Sequence, residues 1–143
     1  MTTSAGVNDK WLAYTKKYEG LSLHPYTCPA GYLTIGYGHN LEVNGITLEV
    51  AELILKTDMA YAQTEVGAKI PFSSKLDEAR QFVLVDMCFN MGIKKLLTFK
   101  KMLAALKQGY YERAAYEMLD SRWALQVGRR ARELAEIMKK GEY

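Results

Sequence analysis

Three side chains that could take part in acid–base chemistry lie close together near the start of the sequence. Glu19 ends a helical pattern, Cys28 falls in a turn rich in proline and glycine, and Thr34 follows in a strand-like segment. A carboxyl group can donate a proton, and a thiol or hydroxyl can hold or activate a water. An acid beside an apolar helix, facing short polar groups across a β-ribbon, suits the cleavage of a glycosidic bond.

Glu19 is the strongest candidate for a proton donor. A general acid must keep its proton near neutral pH. The negative end of the helix dipole and the neighbouring rings of Trp11 or Tyr18 would both disfavour the carboxylate anion. The alternative is a solvent-exposed glutamate at a helix end, which is the commoner case when such a residue is taken alone.

Cys28 has three open roles: nucleophile, group that orients a water or acts as a partial base, or inert residue of the turn. A free thiol is only a few per cent ionised at pH 7, and no lysine or arginine lies nearby in sequence, so covalent catalysis is the weakest of these. Thr34 alternates with Leu33 and Ile35, so its hydroxyl points to the opposite face and could hold a water. Threonine is also simply a good strand former.

Length and composition fit one globular domain. A chain of 143 residues, 49% hydrophobic and 24% charged, can bury a sizeable core. No apolar run approaches the roughly 20 residues that span a bilayer. The opening residues 1–9 lack the basic start and apolar stretch of a secretory signal. We therefore expect accumulation in the cytoplasm without stable membrane insertion.

The formal net charge is +3, with basic residues concentrated near the end of the chain: Arg122, Arg129, Arg130, Arg132, Lys139 and Lys140. This bias could help to hold an anionic polymer such as a bacterial wall, or could form a solvated helix face. No aromatic–basic motif supports nucleic-acid binding. Cys28 and Cys88 lack the spacing of a zinc site and are expected to be reduced thiols. We expect no metal and no cofactor.

The pattern of apolar residues predicts an α+β, mostly α-helical fold, with a small α/β lobe, a long connecting helix and a larger all-α lobe. Asn8 or Asp9 caps a first helix that ends near Glu19, and short β segments fill residues 22–43. A long amphipathic helix begins at Thr47 and ends near Gly67. Further helices are expected at about 74–87, 98–106, 110–119 and 128–139. The first helix is expected to bury a stripe formed by Trp11, Leu12, Tyr14, Thr15 and Tyr18.

The spacing of Glu19, Cys28 and Thr34 resembles the motif of the phage-type lysozymes, the family 24 glycoside hydrolases: Glu, eight residues, Asp or Cys, five residues, Thr. The similarity covers most of the chain after residue 10 and implies a lysozyme-like two-lobed fold, with lobes at about 20–66 and at 1–19 plus 67–143. Other similar segments are Tyr26, Gly31, Thr34-Ile35-Gly36, Gly38-His39, Phe89-Asn90-Met91-Gly92, Thr98-Phe99, Ala114-Ala115 and Ser121-Arg122-Trp123.

The resemblance implies a role for each matching position. Glu19 would be the general acid, Cys28 takes a position often held by aspartate, and Thr34 would bind or orient the nucleophilic water. Arg130 is expected to pair with Glu19 across the cleft, and His39 with Asp58 inside the smaller lobe. The implied substrate-binding residues are Tyr26, Phe89, Asn90, Met91, Gly92 and Arg122. Three further contact positions, at which the residue type differs from the family's, fall on Asn40, Met102 and Glu117.

The activity implied by the resemblance is that of an endolysin muramidase. It would hydrolyse the β-1,4 bond between N-acetylmuramic acid and N-acetylglucosamine in peptidoglycan with inversion, and so lyse the host cell. A monomer of phage or prophage origin is expected to reach the wall after a holin has permeabilised the membrane. Two alternatives are a wall-binding module without turnover, and a lytic transglycosylase, which uses one acid and no positioned water.

Overall fold

A computed structural model describes residues 6–143 of the chain. The fold is mostly α-helical with one small antiparallel sheet, which confirms the predicted α+β class. The described residues divide into two compact units, the first ending at Leu55 and the second formed by Lys56–Tyr143. The structure therefore groups the first helix with the sheet. The lobe boundaries proposed from the sequence stay a prediction.

The first unit contains short helices and a small β-sheet, which together carry the predicted motif. Its sheet is antiparallel in the order β1-β2-β3, so β2 is the central strand. Thr34 on β2 pairs with Tyr26 on β1 and with Asn40 on β3. The elements of this unit are α1 (Asp9–Glu19), β1 (Ser22–Thr27), β2 (Leu33–Gly36), β3 (His39–Asn40), α2 (Leu41–Asn44) and the start of α3 (Leu48–Lys69).

The first helix begins and ends where the sequence predicts, but it does not bury its apolar face. Asn8 Oδ1 accepts a hydrogen bond from the backbone N–H of Lys10 at 2.8 Å, so Asn8 is the N-cap. None of the residues of α1, all of which the structure describes, is buried. The predicted buried stripe is therefore wrong. Tyr14 and Tyr18 pack on each other instead, with ring centroids 5.0 Å apart.

Thr34 is the one buried residue among residues 6–55, with 3% of its surface exposed. Its neighbour Leu33 is exposed and Ile35 is half-buried, which reverses the usual pattern of apolar residues inside and polar residues outside. The prediction that Thr34 and its neighbours face opposite sides is confirmed. A polar side chain thus takes the innermost position of the small sheet.

The second unit is helical and holds the hydrophobic core. The core side chains with 1% exposure or less include Val83, Leu84, Met87, Leu96 and Trp123. The elements that supply the core and its surroundings are the end of α3, a 3₁₀-helix (Pro71–Lys75), α4 (Glu78–Met91), α5 (Ile93–Leu96), α6 (Lys100–Lys107), α7 (Tyr111–Leu119), α8 (Arg122–Val127) and α9 (Arg129–Lys140).

The start of α4 differs by one turn from the prediction. The predicted start at Ser74 lies in the 3₁₀-helix, and the N-cap of α4 is Asp77, whose Oδ2 accepts from the backbone N–H of Arg80 at 3.0 Å. The guanidinium of Arg80 then binds the last turn of α9, donating to Met138 O at 2.6 Å and to Lys139 O at 2.9 Å. This side chain joins the start of α4 to the end of α9.

Within residues 6–143, none of the helices combines the length and apolar character that crossing a membrane requires.

Candidate active site

Glu19 is placed at the end of α1 by Gly20, which adopts a positive φ of 70° and ends the helix. Its carboxylate lies against Gly38 in the turn between β2 and β3. A β-carbon added at Gly38 would collide with Glu19 Oε2 and lie 3.2 Å from Glu19 Cδ. Because Gly38 also has a φ of +71°, both its backbone and its contact with Glu19 require glycine.

A second contact joins α1 to the same turn. The Nζ atom of Lys16 lies 5.5 Å from the centroid of the Tyr37 ring, within the range of a cation–π interaction. Lys16 precedes Glu19 by one helical turn, and Tyr37 precedes Gly38. The end of the helix is therefore held at two adjacent points of the turn, which fixes the position of the Glu19 carboxyl group relative to the sheet.

Glu19 and Tyr26 border the same surface pocket, together with residues 20–22. The pocket has a volume of about 290 Å³ and is open to solvent. Tyr26 lies on β1 directly opposite Thr34. Paired residues of an antiparallel sheet project from the same face, so Tyr26, Thr34 and Asn40 form a row across the three strands. The predicted acid thus lies beside a predicted substrate contact in this unit.

Cys28 lies in the loop that joins β1 to β2. The backbone N–H of Cys28 donates to Tyr32 O at 2.9 Å, and the N–H of Gly31 donates to Cys28 O at 2.8 Å. The last ladder pair before this loop is Thr27 with Leu33. These two bonds close the loop around Cys28.

Hydrogen bonds from this loop lower the pKa of the Cys28 thiol below its ordinary value. The largest contribution comes from the backbone of Tyr32 and the next from the Thr34 hydroxyl, with smaller ones from Ala30 and Gly31; slight desolvation opposes them. Donors to the sulfur stabilise the thiolate. No lysine or arginine lies near Cys28 in sequence, and the backbone donors that lower its pKa leave no signature in residue types. More thiolate is therefore present near neutral pH than a free cysteine would give.

Thr34 connects the sulfur to the sheet. Its hydroxyl lies 2.9 Å from Tyr32 O, to which it can donate. The hydroxyl has one proton, so it donates either to this carbonyl or to the Cys28 thiolate, and it can accept from a third group. Its position therefore suits orientation of Cys28. The role of Thr34 as the residue that holds the attacking water stays a prediction.

His39 and Asp58, the two residues of the second predicted ion pair, lie in different units, and His39 has a partner within its own unit. His39 Nε2 lies 2.6 Å from the carbonyl oxygen of Gly45, which pins the end of α2 to β3. Asp58 borders a pocket of about 360 Å³ together with Phe89 and Gly92. A pair between His39 and Asp58 would join the two units and stays a prediction.

Arg130 makes its ion pair with Asp86 on α4. The guanidinium Nε donates to Asp86 Oδ2 at 3.0 Å, and Nη2 donates to Oδ1 at 2.9 Å. These hydrogen bonds raise the pKa of Arg130. Partial burial opposes the increase, and the adjacent negative charge of Asp86 adds to it. The partner named from the sequence was Glu19, and that pair stays a prediction. Asp86 was missed, although a single acid inside the apolar run 82–89 was a visible signal.

The predicted saccharide-contact segment lies at the end of α4. Phe89 is exposed, Met91 is half-buried against the core, and Gly92 ends the helix with a φ of +87°. Asn90 has a structural partner that the sequence did not indicate: its Oδ1 accepts from Trp123 Nε1 at 2.7 Å. The amide of Asn90 therefore holds the buried indole of α8 in place.

Arg122 borders a separate pocket of about 400 Å³ in the second unit. Met102 and Glu117, two of the positions at which the residue type differs from the family's, border it too. The pocket combines an apolar floor, in which Phe99 and Trp123 pack edge to face with centroids 6.2 Å apart, with a basic rim. The remaining lining residues are Lys95, Thr98, Lys100, Lys101, Asp120 and Ser121.

Comparison with known proteins decides the family. The model of the family described as phage lysozyme matches residues 16–139. This chain belongs to the phage lysozyme family. The match includes Glu19, Cys28 and Thr34, and it extends through α9 of the second unit. The chain is therefore a lysozyme-type hydrolase, as the motif in the first unit predicted.

Individual relatives of this phage lysozyme agree with that assignment. It is 35% identical over 118 residues to the endolysin of Acyrthosiphon pisum secondary endosymbiont phage 1, covering 79% of this chain and 77% of the relative. It is 26% identical to probable T4-type lysozyme 1 of Dictyostelium discoideum, covering 86% and 89%. It is 29% identical to the pre-baseplate central spike protein Gp5 of Enterobacteria phage T4, covering 88% of this chain and 27% of that longer protein.

Proposed function

We propose that this phage lysozyme hydrolyses the β-1,4 bond between N-acetylmuramic acid and N-acetylglucosamine in peptidoglycan. The observation that carries the proposal is the arrangement of the first unit. Glu19 is held against Gly38 beside the pocket of Tyr26, while the Thr34 hydroxyl of the same sheet helps to lower the pKa of Cys28. One proton donor and one group able to activate water are the two functions that glycoside hydrolysis needs.

Glu19 is proposed as the general acid, which gives its proton to the oxygen of the departing sugar. Cys28, as thiolate, is proposed to take a proton from the attacking water, and Thr34 to orient the thiolate and that water. The water then attacks the anomeric carbon from the face opposite the leaving group, so the configuration is inverted. Inverting enzymes leave about 6.5–9.5 Å between the two groups for this water, and retaining enzymes about 5–5.5 Å.

The lowered pKa of Cys28 favours the two roles that use a thiolate, base and nucleophile, over an inert residue of the turn, and of these the base role is proposed. A thiolate carries the charge that a neutral thiol lacks, and it can accept a proton directly. Tyr26, Phe89, Asn90, Met91, Gly92 and Arg122 are proposed as substrate contacts. In this proposal they hold the glycan strand while Glu19 and Cys28 act on one bond.

In the cell we propose an endolysin that lyses the bacterial host. The name endolysin, given to the relative from Acyrthosiphon pisum secondary endosymbiont phage 1, supports this role. The proposed protein is a monomer in the host cytoplasm, which meets the wall once a holin has permeabilised the membrane. No cofactor enters the proposed reaction.

The test is Glu19→Gln, which keeps the shape of the side chain but removes its proton. Purified protein is added to chloroform-treated Gram-negative cells, and the fall in turbidity is followed beside circular dichroism of the same sample. The parent is expected to clear the cells and the folded variant to fail. Mass spectrometry of the released fragments should show reducing ends. Clearing by Glu19→Gln, or anhydromuramic ends from the parent, would contradict the proposed reaction.

A further inference from the structure

The pocket of about 400 Å³ in the second unit carries a concentration of positive charge. Its cationic lining side chains are Lys95, Lys100, Lys101 and Arg122. Between Asp86 and Glu112 the chain contains five lysines and no acidic residue, so this whole segment is basic. All residues that border the pocket belong to the second unit, so its shape does not depend on the first.

These four cations take part in none of the ion pairs formed among residues 6–143. Exposed cations on α7 and α9 differ, since Arg113 binds Glu117 and Arg129 binds Glu133, each at 2.9 Å. Glu117 borders the pocket, but its side chain is 9% exposed and Arg113 offsets its charge. Asp120 is the other acid of the lining. Positive charge therefore dominates the rim of the pocket.

Helix stability does not explain the two lysines that begin α6. Lys100 and Lys101 lie in its first turn, which contains no acidic residue and has no side-chain cap. The helix dipole disfavours a cation at this end, and two neighbouring ammonium groups repel each other. An anion bound by both lysines would offset the two costs.

The floor of the pocket is apolar and fixed in position. Phe99 and Trp123 pack edge to face, and Met102 beside them is 1% exposed. The hydrogen bond from the Trp123 indole to Asn90 holds this floor in place. Met102 and Glu117, two positions considered above for saccharide contacts, offer no free polar group, because one is buried and the other binds Arg113. An apolar floor with charged groups at the rim is typical of a site for a small ligand.

The rim suits a phosphate group better than a carboxylate. A phosphate ester carries up to two negative charges and three acceptor oxygens, so several ammonium groups can bind it at once. Lysine binds phosphate as a compact point charge, whereas the planar fork of arginine matches the two oxygens of a carboxylate. Three of the four cations here are lysines. A concave pocket also accepts a small group more readily than the flat surface of a bilayer.

We propose that this pocket is a second ligand site, which binds the phosphate ester of a sugar. The phosphate is bound by the ammonium groups of Lys95, Lys100 and Lys101, and Arg122 adds a fourth charge. The sugar ring rests on Phe99. A phosphorylated sugar polymer of the bacterial envelope would supply such groups and keep the enzyme near the wall. That role rests on the proposed function, whereas the binding itself does not.

The first experiment follows the isotope-labelled protein by NMR during titration with N-acetylglucosamine 1-phosphate. Unphosphorylated N-acetylglucosamine is the matched control ligand. The sugar phosphate is expected to shift the amide signals of Lys100 and Lys101 and the indole N–H signal of Trp123. The indole of Trp11, in the other unit, serves as the internal control. No shift at the lysines with the sugar phosphate, or equal affinity for the unphosphorylated sugar, would overturn the inference.

The second experiment compares Lys100→Gln/Lys101→Gln with Lys139→Gln/Lys140→Gln, an adjacent exposed pair on α9 that borders other pockets. Both double variants lose two positive charges, so an effect of net charge alone would be the same in each. The first variant is expected to raise the Kd for the sugar phosphate about tenfold, through loss of charge-assisted hydrogen bonds. The second should keep the parent's Kd, with Tm as the check on folding. Equal Kd values for the two variants would overturn the inference.

A third measurement distinguishes the sugar phosphate from two other anions. N-acetylmuramic acid carries a carboxylate instead of a phosphate, and vesicles of phosphatidylglycerol present phosphate on a lipid surface. Both are expected to bind the pocket more weakly than N-acetylglucosamine 1-phosphate. Tighter binding of the carboxylate, or vesicle binding that needs Lys100 and Lys101 without any response to the sugar phosphate, would overturn the inference. Failure of the proposed function is recognised separately, because these measurements follow binding and none requires turnover.

Discussion

The carboxylate of Glu19 lies against the α-carbon of Gly38, with no room between them for a side chain. The contact joins the end of α1 to the turn between β2 and β3. It fixes the proposed acid by packing against backbone, which is less mobile than another side chain would be. Gly38 therefore helps to set the position of the proposed acid.

Gly38→Ala should lower lytic activity through displacement of Glu19, in addition to lowering stability. The new methyl group must push Glu19 away, and a misplaced acid should cost about ten- to hundredfold in kcat. The positive φ should cost about 1–2 kcal/mol of unfolding free energy. Urea unfolding and turbidity assays would measure the two effects.

Gly36→Ala is the matched control for this prediction. Gly36 has nearly the same φ, +69° against +71° at Gly38, but a β-carbon there meets nothing within 4 Å. It should lose a similar amount of stability and keep most of its activity. Equal losses of activity in the two variants would show that displacement of Glu19 is not the cause.

The two cysteines should differ in their reaction with iodoacetamide. The pKa of Cys28 is lowered by the loop around it, so its thiolate persists to lower pH and alkylation should begin below the ordinary thiol range. Burial, reinforced by Glu65, raises the pKa of Cys88, so this thiol should stay protonated and shielded. Peptide mass mapping across a pH series would give both profiles, with the urea-unfolded chain as control. Labelling of native Cys88 at the lower pH would contradict the prediction.

Thr34→Val should raise the pH at which Cys28 becomes reactive. The substitution keeps the shape of the side chain and removes the hydroxyl that donates to the thiolate, so the pKa of Cys28 moves up toward its ordinary value. The same loss should reduce lysis, and the missing bond to Tyr32 O should cost about 1 kcal/mol. Thr34→Ser keeps the hydroxyl and should resemble the parent in alkylation profile. An unchanged profile in Thr34→Val would remove Thr34 as a donor to the sulfur.

Asn90→Ala should destabilise the second unit. The indole N–H of Trp123, a residue with 1% exposure, would lose its acceptor at a cost of about 1–3 kcal/mol. Trp123→Phe and the double variant complete a thermodynamic cycle. Because both changes break the same bond, their effects on unfolding free energy should be less than additive. Simple additivity in denaturant unfolding would show that the bond contributes little.

Local signals explain which parts of the fold and site could be predicted from sequence. Asn8 and Asp77 cap helices with their own side chains, and Gly20 and Gly92 end them through their backbone, so these boundaries depend on residues a few positions apart. The spacing of Glu19, Cys28 and Thr34 identified the family because all three residues belong to one short helix–loop–strand segment.

Partner choice at long range could not be predicted in the same way. Arg130 binds Asp86, 44 residues earlier, and any of several acids could have satisfied it on chemical grounds. The bond from Trp123 to Asn90 is similarly distant, at 33 residues. At Cys28 the decisive donors are backbone amides, which every residue type except proline supplies. An aromatic helix face such as that of α1 becomes buried only if an opposing surface covers it, so its residue types alone do not predict burial.

Thr34, as the innermost side chain of residues 6–55, has a consequence for how this enzyme would respond to heat. Residues 6–55 bury one side chain, which carries a hydroxyl group, so they gain little stability from the hydrophobic effect. Lys56–Tyr143 instead have a core rich in methionine and leucine. Amide hydrogens around the motif should therefore exchange with deuterium long before those of α4 and α9. On warming, activity should be lost while most of the helices remain formed.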